Sequence, residues 1–217
     1  CLIAWGFFKK LVLADNLATY VDRLYAYPSL PPLLTYTAAL GFTMQLFADF
    51  SAYTDIARGA ARLMGFELMK NFQAPFVASN PVAFWQRWHI SLSSWIRDYL
   101  FVSLPGSRTS KMHALMNQLI AFTIFGLWHG AAWNFIVWGL YNGLVVIVYS
   151  LFFRPWTRAL EGWKAVAIRW GGVALWFHLL LLGCLCFRQH NLRVFFGYFR
   201  PSEWFHTPDE LVFGLGW

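Results

Sequence analysis

Residues 133–153 form an unbroken apolar run that contains no Asp, Glu, Lys or Arg. About 20 such residues are needed for a helix to cross the hydrocarbon core of a bilayer, and this run has that length. Residues 166–187 form a second long run, interrupted only by Arg169, and residues 112–128 form a shorter one. Because backbone polar groups must be satisfied internally in lipid, these runs predict transmembrane helices.

Composition supports a membrane protein. Of the 217 residues, only 12% are charged, whereas soluble domains have about 25%. Aromatic residues make up 20%, including 13 Trp, a residue enriched at membrane interfaces. The formal net charge is +7, but the basic residues are dispersed between apolar runs. This distribution indicates contact with anionic lipid headgroups and not with nucleic acid. We therefore predict an all-α, polytopic membrane protein with about four spans plus interfacial and re-entrant helices.

The pattern along the chain predicts one membrane domain over residues 1–217. Residues 1–8 are apolar but end at Lys9 and Lys10, too early for a full span. We therefore expect the C-terminal part of a longer chain whose N-terminal spans are missing. A long helix is predicted over 34–64, with Asp49 and Asp55 paired to arginines 58, 62 or 87. A loop or re-entrant segment is predicted over 71–81, and one amphipathic helix over 84–104.

His129 lies at the junction of two apolar runs, in the string FGLWHGAAWN at 125–134. A titratable side chain at membrane depth is expensive to keep and is usually functional. An apolar environment disfavours the charged imidazole, so His129 is predicted to be neutral and able to accept a proton. Such a general base contributes about 10²–10⁴-fold to the rate of a reaction such as attack by an alcohol.

Two strings that each contain a histidine lie about 40 residues apart in the sequence. The first is FWQRWHISLSSWIRDY at 84–99, and the second is GLWHGA at 126–131, followed by WGLYNG at 138–143. Upstream lies QLFADFSAYTDIA at 45–57. Together these strings resemble the membrane-bound O-acyltransferase family. The chain is similar to its bacterial alginate O-acetyltransferase-like branch, near the D-alanyl-transfer proteins of teichoic acid modification.

The resemblance implies roles for two histidines. His129 matches the essential histidine of the family, and His89 matches a second, upstream polar position. Members transfer an acyl group to a hydroxyl through a tunnel that crosses the membrane. The bacterial branch is implied to O-acetylate extracellular polysaccharide, usually with partner proteins on the outer side.

Further site residues follow from the chemistry. His89, Asn134 and Asn142 are candidates to orient the His129 ring, and the sequence does not choose among them. Backbone N–H groups near Gly130 or the Trp indoles are candidate donors to an oxyanion. The predicted substrate-binding residues are Trp128, Asn134, Asn142 and His178. No metal is expected, because the six histidines lack metal-ligand spacing such as His-x-x-x-His.

The combined prediction is an O-acyltransferase of the bacterial cytoplasmic membrane. The acyl group is expected to be acetyl, carried by a thioester co-substrate, acetyl-CoA or an acyl carrier, and no bound cofactor is expected. The acceptor is expected to be a cell-envelope polysaccharide, as in alginate biosynthesis, or a periplasmic acyltransferase partner. One alternative is a transporter or proton-relay subunit in which His129, Asp49 and Asp55 move ions. A weaker alternative is a non-catalytic scaffold.

Overall fold

The computed structural model describes residues 1–27, 30–106, 110–158 and 160–200. Every regular element within these ranges is helical, which confirms the predicted all-α class. The chain divides into two compact units, one formed by Cys1–Leu68 with the chain from Cys184 onward, the other by Met69–Gly183.

In the first unit, two helices pack along a longer one. α1 (Leu2–Phe8), a π-helical segment (Lys9–Ala14) and α2 (Asp15–Tyr25) follow one another without a break and contact α3 (Pro32–Leu63). Proline at the first position of α3 loses no helical hydrogen bond there. A Cβ at Gly59 would lie 2.5 Å from the side chain of Ile3, so glycine permits the close approach of α1 and α3. The predicted helix over 34–64 is confirmed.

A partly buried ion pair joins the π-helical segment to α3. Lys9 Nζ lies 2.8 Å from Asp55 Oδ2 and donates to Ser51 Oγ at 2.9 Å. Arg58 Nη1 lies 3.6 Å from Asp55 Oδ1, as expected, but the nearer partner of Asp55 is Lys9.

Asp49 pairs with Lys10 at 2.7 Å, whereas the sequence prediction named only arginines as its partners. The reason is that the lysines are distant in sequence and reach α3 only through helix packing. Arg62, another predicted partner, instead binds Glu67.

The C-terminal part of the first unit contains a short helix, α10 (Leu192–Gly197). Asn191 caps it, since Asn191 Oδ1 accepts the N–H of Arg193 at 3.0 Å. Arg188 Nη2 donates to Asp22 Oδ1 at 2.7 Å, and its guanidinium lies over the ring of Tyr25.

The second unit is built around a helical hairpin. α6 (Lys111–His129) and α7 (Trp133–Val148) are joined by three residues and pack closely against each other. A Cβ at Gly126 would overlap the carbonyl oxygen of Phe135, and a Cβ at Gly139 would overlap that of Phe122. The two glycines therefore allow the backbones to touch, as small residues do in membrane helix pairs.

Two helices are long and apolar enough to cross a membrane within the part of the chain that is described. One runs from Trp133 to Thr157, combining α7, a π-helical segment (Tyr149–Phe153) and most of α8 (Arg154–Arg158). The other is α9 (Gly162–Arg188). The predicted runs at 133–153 and 166–187 are thus confirmed as helices of spanning length. The total of about four spans stays a prediction.

The predicted continuous helix over 84–104 is wrong. The structure has α4 (Pro81–Trp85), a break, α5 (Ile90–Trp95) and a π-helical segment (Ile96–Phe101). The break occurs at His89, whose φ of 44° and ψ of 56° are left-handed and end any right-handed helix. Helical spacing of Trp85 and Trp88 suggested continuity, but the chain here also contacts the distant segment 72–73, through the ring of Phe72 against Trp88 and the N–H of Gln73 bound to the carbonyl of Arg87.

The predicted loop over 71–81 is confirmed. It contains one 3₁₀ turn (Pro75–Val77) and ends at Asn80, which caps α4 by accepting the N–H of Ala83 at 2.8 Å. Beside it lies a buried core formed by Ala78, Phe84 and Trp176. The loop and α4 are therefore well anchored within the second unit.

Candidate active site

His129 is the last residue of α6, directly before the short connection to α7. Gly130 follows it, and a Cβ there would lie 2.6 Å from the ring of Phe135. The absence of a side chain at Gly130 therefore lets α7 return close to the imidazole.

Four aromatic side chains surround the His129 ring. The ring centroids lie at 4.9 Å for Trp128, 5.1 Å for Phe125, 5.3 Å for Trp138 and 6.1 Å for Phe135. Phe125, Phe135 and Trp138 are buried themselves. We call these four residues the aromatic cage. It replaces water with hydrocarbon and indole on several sides of a half-buried imidazole.

The cage keeps His129 neutral. His129 lies outside both candidate spans. Burial lowers its pKa to about 4, and the like charge of His89 lowers it further in the same direction. Because a neutral imidazole has an unprotonated ring nitrogen, His129 can accept a proton near pH 7.

His89 belongs to the same site. Its charge acts on His129 although 40 positions separate them in the sequence. Burial also lowers the pKa of His89, whose side chain is half-buried at the start of α5. Trp85 of the first motif packs against Phe125 and Trp138 beside the His129 ring, which brings the two histidine motifs together, and we refer to His89 and His129 as the histidine pair.

An apolar cavity of about 280 Å³ adjoins the aromatic cage. Its polar groups come from Ser93, Arg97 and Gln118, and its aromatic walls are Trp85, Phe101, Phe122 and Phe125. Phe125 contacts both this cavity and the His129 ring. Apolar space with a few polar groups is typical of a ligand site.

The indole of Trp85 is a candidate donor at the wall of this cavity. Its Nε1 is buried and has no hydrogen-bond partner among the described residues. The ring packs against Phe125 at 5.5 Å and Trp138 at 6.0 Å, both members of the aromatic cage. The other predicted donor, the N–H of Gly130, already binds the carbonyl of Leu127 at 3.1 Å. A buried donor without a partner is rare in proteins, which makes this N–H a candidate for a role in the site.

The predicted substrate-binding residues differ in exposure. Trp128 is 62% exposed, although its ring touches His129. Asn134 is fully buried in the first turn of α7. Asn142 is also buried, and its Nδ2 donates to the carbonyl of Trp138 at 2.9 Å. Asn142 thus contacts the backbone of a residue that packs on His129.

His178 lies on α9, within the second candidate span. Its side chain is exposed, and its Nδ1 is 2.8 Å from the carbonyl oxygen of Ala174, one turn earlier. A protonated Nδ1 would donate this bond, which leaves Nε2 as the acceptor nitrogen.

The sequence prediction missed most of the aromatic cage. Phe125, Phe135 and Trp138 were not named as site residues. Helical periodicity could have found Phe125, because it lies one turn before His129 on α6. Within the described residues no group of three His, Cys, Asp or Glu side chains could hold a metal ion.

A helical membrane protein with a neutral, caged imidazole beside a second histidine has the site expected of a general base. The chain matches the model of the membrane-bound O-acyltransferase family over residues 1–188. Because this match covers most of the chain, the protein belongs to that family. The resemblance stated from the two histidine motifs is confirmed, and membership favours acyl transfer over the transporter alternative.

Several named bacterial proteins are similar to the chain. It is 38% identical over 190 residues to the probable alginate O-acetylase AlgI of Pseudomonas aeruginosa. It is 35% identical over 188 residues to the peptidoglycan O-acetyltransferase of Helicobacter pylori. It is 33% identical over 193 residues to the teichoic acid D-alanyltransferase of Bacillus subtilis.

These matches cover most of this chain but only part of each relative. They include 87%, 86% and 84% of the chain, and 35%, 35% and 48% of the respective relatives. The chain therefore spans less than half the length of these relatives.

Proposed function

We propose that the protein is a membrane O-acyltransferase in which His129 is the general base. The observation that carries this proposal is the neutral imidazole held in the aromatic cage beside His89. Family membership supports the reaction class. An alcohol is a poor nucleophile at neutral pH, so its acylation needs such a base.

In the proposed reaction, the unprotonated nitrogen of His129 takes the proton of the acceptor hydroxyl. The hydroxyl oxygen forms a bond to the carbonyl carbon of a thioester, which gives a tetrahedral oxyanion. The carbon–sulfur bond then breaks, and the imidazolium returns its proton to the leaving thiolate. The products are an ester and a thiol, and His129 is neutral again.

His89 has a supporting role in this proposal. When His89 is protonated, its positive charge opposes protonation of His129, which keeps the base available as the pH falls. We assign stabilisation of the oxyanion to the indole N–H of Trp85, a side chain of the cavity wall whose buried Nε1 has no partner among the described residues. Preorganised donors of this kind are among the largest contributors to acyl-transfer catalysis.

The residues that we propose to contact the substrate are those predicted from the sequence. Trp128 presents an exposed indole beside His129 and is suited to contact the acceptor. Asn134 and Asn142 support the α7 side of the site, and His178 is assigned to the substrate path on α9. The 280 Å³ cavity is wide enough for an acyl group and part of its thioester arm.

The proposed acceptor draws on the names of the relatives, and the proposed donor draws on the chemistry of acyl transfer. These names specify O-acetylation of alginate, O-acetylation of peptidoglycan and D-alanylation of teichoic acid. We therefore propose transfer of an acyl group, acetyl in the first instance, from acetyl-CoA or an acyl carrier. The acceptor is a hydroxyl of a cell-envelope polysaccharide or of a periplasmic partner protein. We place the enzyme in the bacterial cytoplasmic membrane as a multi-pass protein in contact with anionic lipids.

The test is the acetyl content of the exported polymer in a strain that carries His129→Ala in the full-length protein. We expect a loss of at least about 10²-fold in transfer rate at unchanged protein level. His113→Ala is the matched control, because His113 is an exposed histidine on the same helix. Normal acetylation by the His129 variant would overturn the proposal.

A further inference from the structure

His89 occupies an unusual position for a site residue. It is the N-cap of α5, with φ of 44° and ψ of 56°, and it makes no side-chain capping bond. An N-cap side chain ordinarily accepts an N–H from the first turn, because those donors have no partner within the helix. The first turn of α5 must therefore find its acceptors elsewhere.

Asn71 supplies these acceptors from another segment. Its backbone carbonyl accepts the N–H of Ile90 at 3.1 Å, and its side-chain Oδ1 accepts the N–H of Ser91 at 3.0 Å. One residue, far from α5 in sequence, thus caps both of the first two donors of the helix.

The same segment also holds the chain before His89. The N–H of Gln73 donates to the carbonyl of Arg87 at 3.0 Å. Between these bonds, the ring of Phe72 packs edge-on against Trp88 with centroids 5.0 Å apart. Hydrogen bonds and packing from residues 71–73 therefore hold the backbone in place on both sides of His89. A non-glycine residue stays left-handed only when its surroundings determine it in this way.

We propose that Asn71 is a positioning residue for His89. This inference rests on the proposed function, in which His89 acts on His129. Because Asn71 supplies the cap of α5, the imidazole of His89 is not needed as a cap and can act on His129. Without the Asn71 side chain, the N–H of Ser91 loses its acceptor, and the left-handed conformation of His89 loses one of its restraints.

Two substitutions of Asn71 distinguish the loss of the capping hydrogen bond from a change in side-chain volume. Asn71→Ala removes the side-chain acceptor, whereas Asn71→Asp keeps an oxygen at the same position. The matched control is Asn191→Ala, because Asn191 Oδ1 caps the six-residue helix α10 through the corresponding N–H, that of Arg193. All variants are made in the full-length protein and assayed in membranes with labelled acetyl-CoA as donor.

For Asn71→Ala we expect a fall in rate of about 10- to 100-fold, the usual result of misplacing a group by about 1 Å. Asn71→Asp restores most of the rate, and Asn191→Ala leaves it unchanged. In a His89→Gln background, Asn71→Ala adds little further loss, because the group it positions is already gone. The acid limb of the pH–rate profile also moves to higher pH in Asn71→Ala, since His89 no longer lowers the pKa of His129.

Hydrogen exchange of the amides at 90–91 gives a readout that does not depend on acyl transfer. Faster exchange in Asn71→Ala together with the shifted acid limb supports the proposal. Faster exchange with an unchanged rate and limb overturns the positioning role, and unchanged exchange overturns the cap itself. Failure of the proposed function is distinguishable, because His129→Ala would then leave acetylation intact whatever the exchange result. If Asn71→Ala does not accumulate, Asn71→Gln, which moves the amide by one bond, is compared in the same way.

Discussion

The imidazole of His129 stands perpendicular to the indole of Trp138, with ring centroids 5.3 Å apart and an angle of 89° between the planes. Trp138 is buried on α7, whereas His129 ends α6. The contact therefore packs the proposed base on α6 against α7, and it excludes water from that side of the ring. Exclusion of water disfavours the imidazolium, and this links the packing of the hairpin to the chemistry of the site.

The first prediction concerns pH. Activity should follow the neutral fraction of His129, whose pKa burial lowers to about 4 from an ordinary value near 6.5. The rate should stay constant from pH 7 down to about 5 and fall to half near pH 4. His89→Gln should lower the rate and move this acid limb to higher pH, because a charge that disfavours protonation of His129 is removed.

The measurement is the initial rate of transfer in membranes between pH 3.5 and 8. Return of each sample to pH 7 controls for irreversible unfolding. A half-maximal rate near pH 6.5 in the unmodified protein would contradict the effect of the cage.

The second prediction concerns Trp85. Trp85→Phe should lower kcat by about 10²-fold with little change in KM, because it removes a donor that acts on the oxyanion. The substitution costs no hydrogen bond among the described residues, so any fall in stability should reflect only the smaller ring. Trp95→Phe is the control, because that indole is 55% exposed. Equal kcat for the two variants would rule out a role for Trp85 as donor.

The third prediction concerns the crossing of α6 and α7. Gly126→Ala should destabilise the protein by about 1–3 kcal/mol, since its Cβ would overlap the carbonyl oxygen of Phe135. At roughly 2–4 °C per kcal/mol, the Tm in detergent should fall by several degrees. Activity should fall with it, because His129 lies one turn further along α6.

Gly171→Ala provides the comparison for this experiment. It lies in α9, and a Cβ there would meet nothing within 4 Å. Alanine favours a helix over glycine, so this variant should keep or raise the Tm. A Tm for Gly126→Ala equal to that of Gly171→Ala would show that the helices can separate freely.

The fourth prediction concerns the partly buried ion pair of the first unit. Asp55→Asn leaves both Lys9 and Arg58 without their carboxylate, whereas Lys9→Met leaves Asp55 with Arg58. Removing one partner of a fully buried pair costs about 3–5 kcal/mol, and we expect a smaller cost for this partly buried pair. We therefore expect Asp55→Asn to lower the Tm more than Lys9→Met does. The reverse order in thermal unfolding would indicate that Arg58 does not compensate.

Local patterns were sufficient for the long helices and for the proposed base. The helices at 34–64, 133–153 and 166–187 follow from apolar runs and helical spacing, which depend only on neighbouring residues. The position of His129 between two such runs also identified it from sequence. The break at His89 was not visible, because Trp85 and Trp88 have helical spacing and the contacts of Trp88 with Phe72 are tertiary.

The sequence by itself determined that this chain is helical and apolar, and that His129 lies where a charge is disfavoured. Only the tertiary structure decided which groups surround that histidine. Closure of α7 onto α6 completed the cage with Trp138, and the cap from Asn71 set the backbone around His89. Neither contact has a local signature, since each joins residues on different segments. Their free energies arise only when the segments pack, and propensity along the chain does not record them.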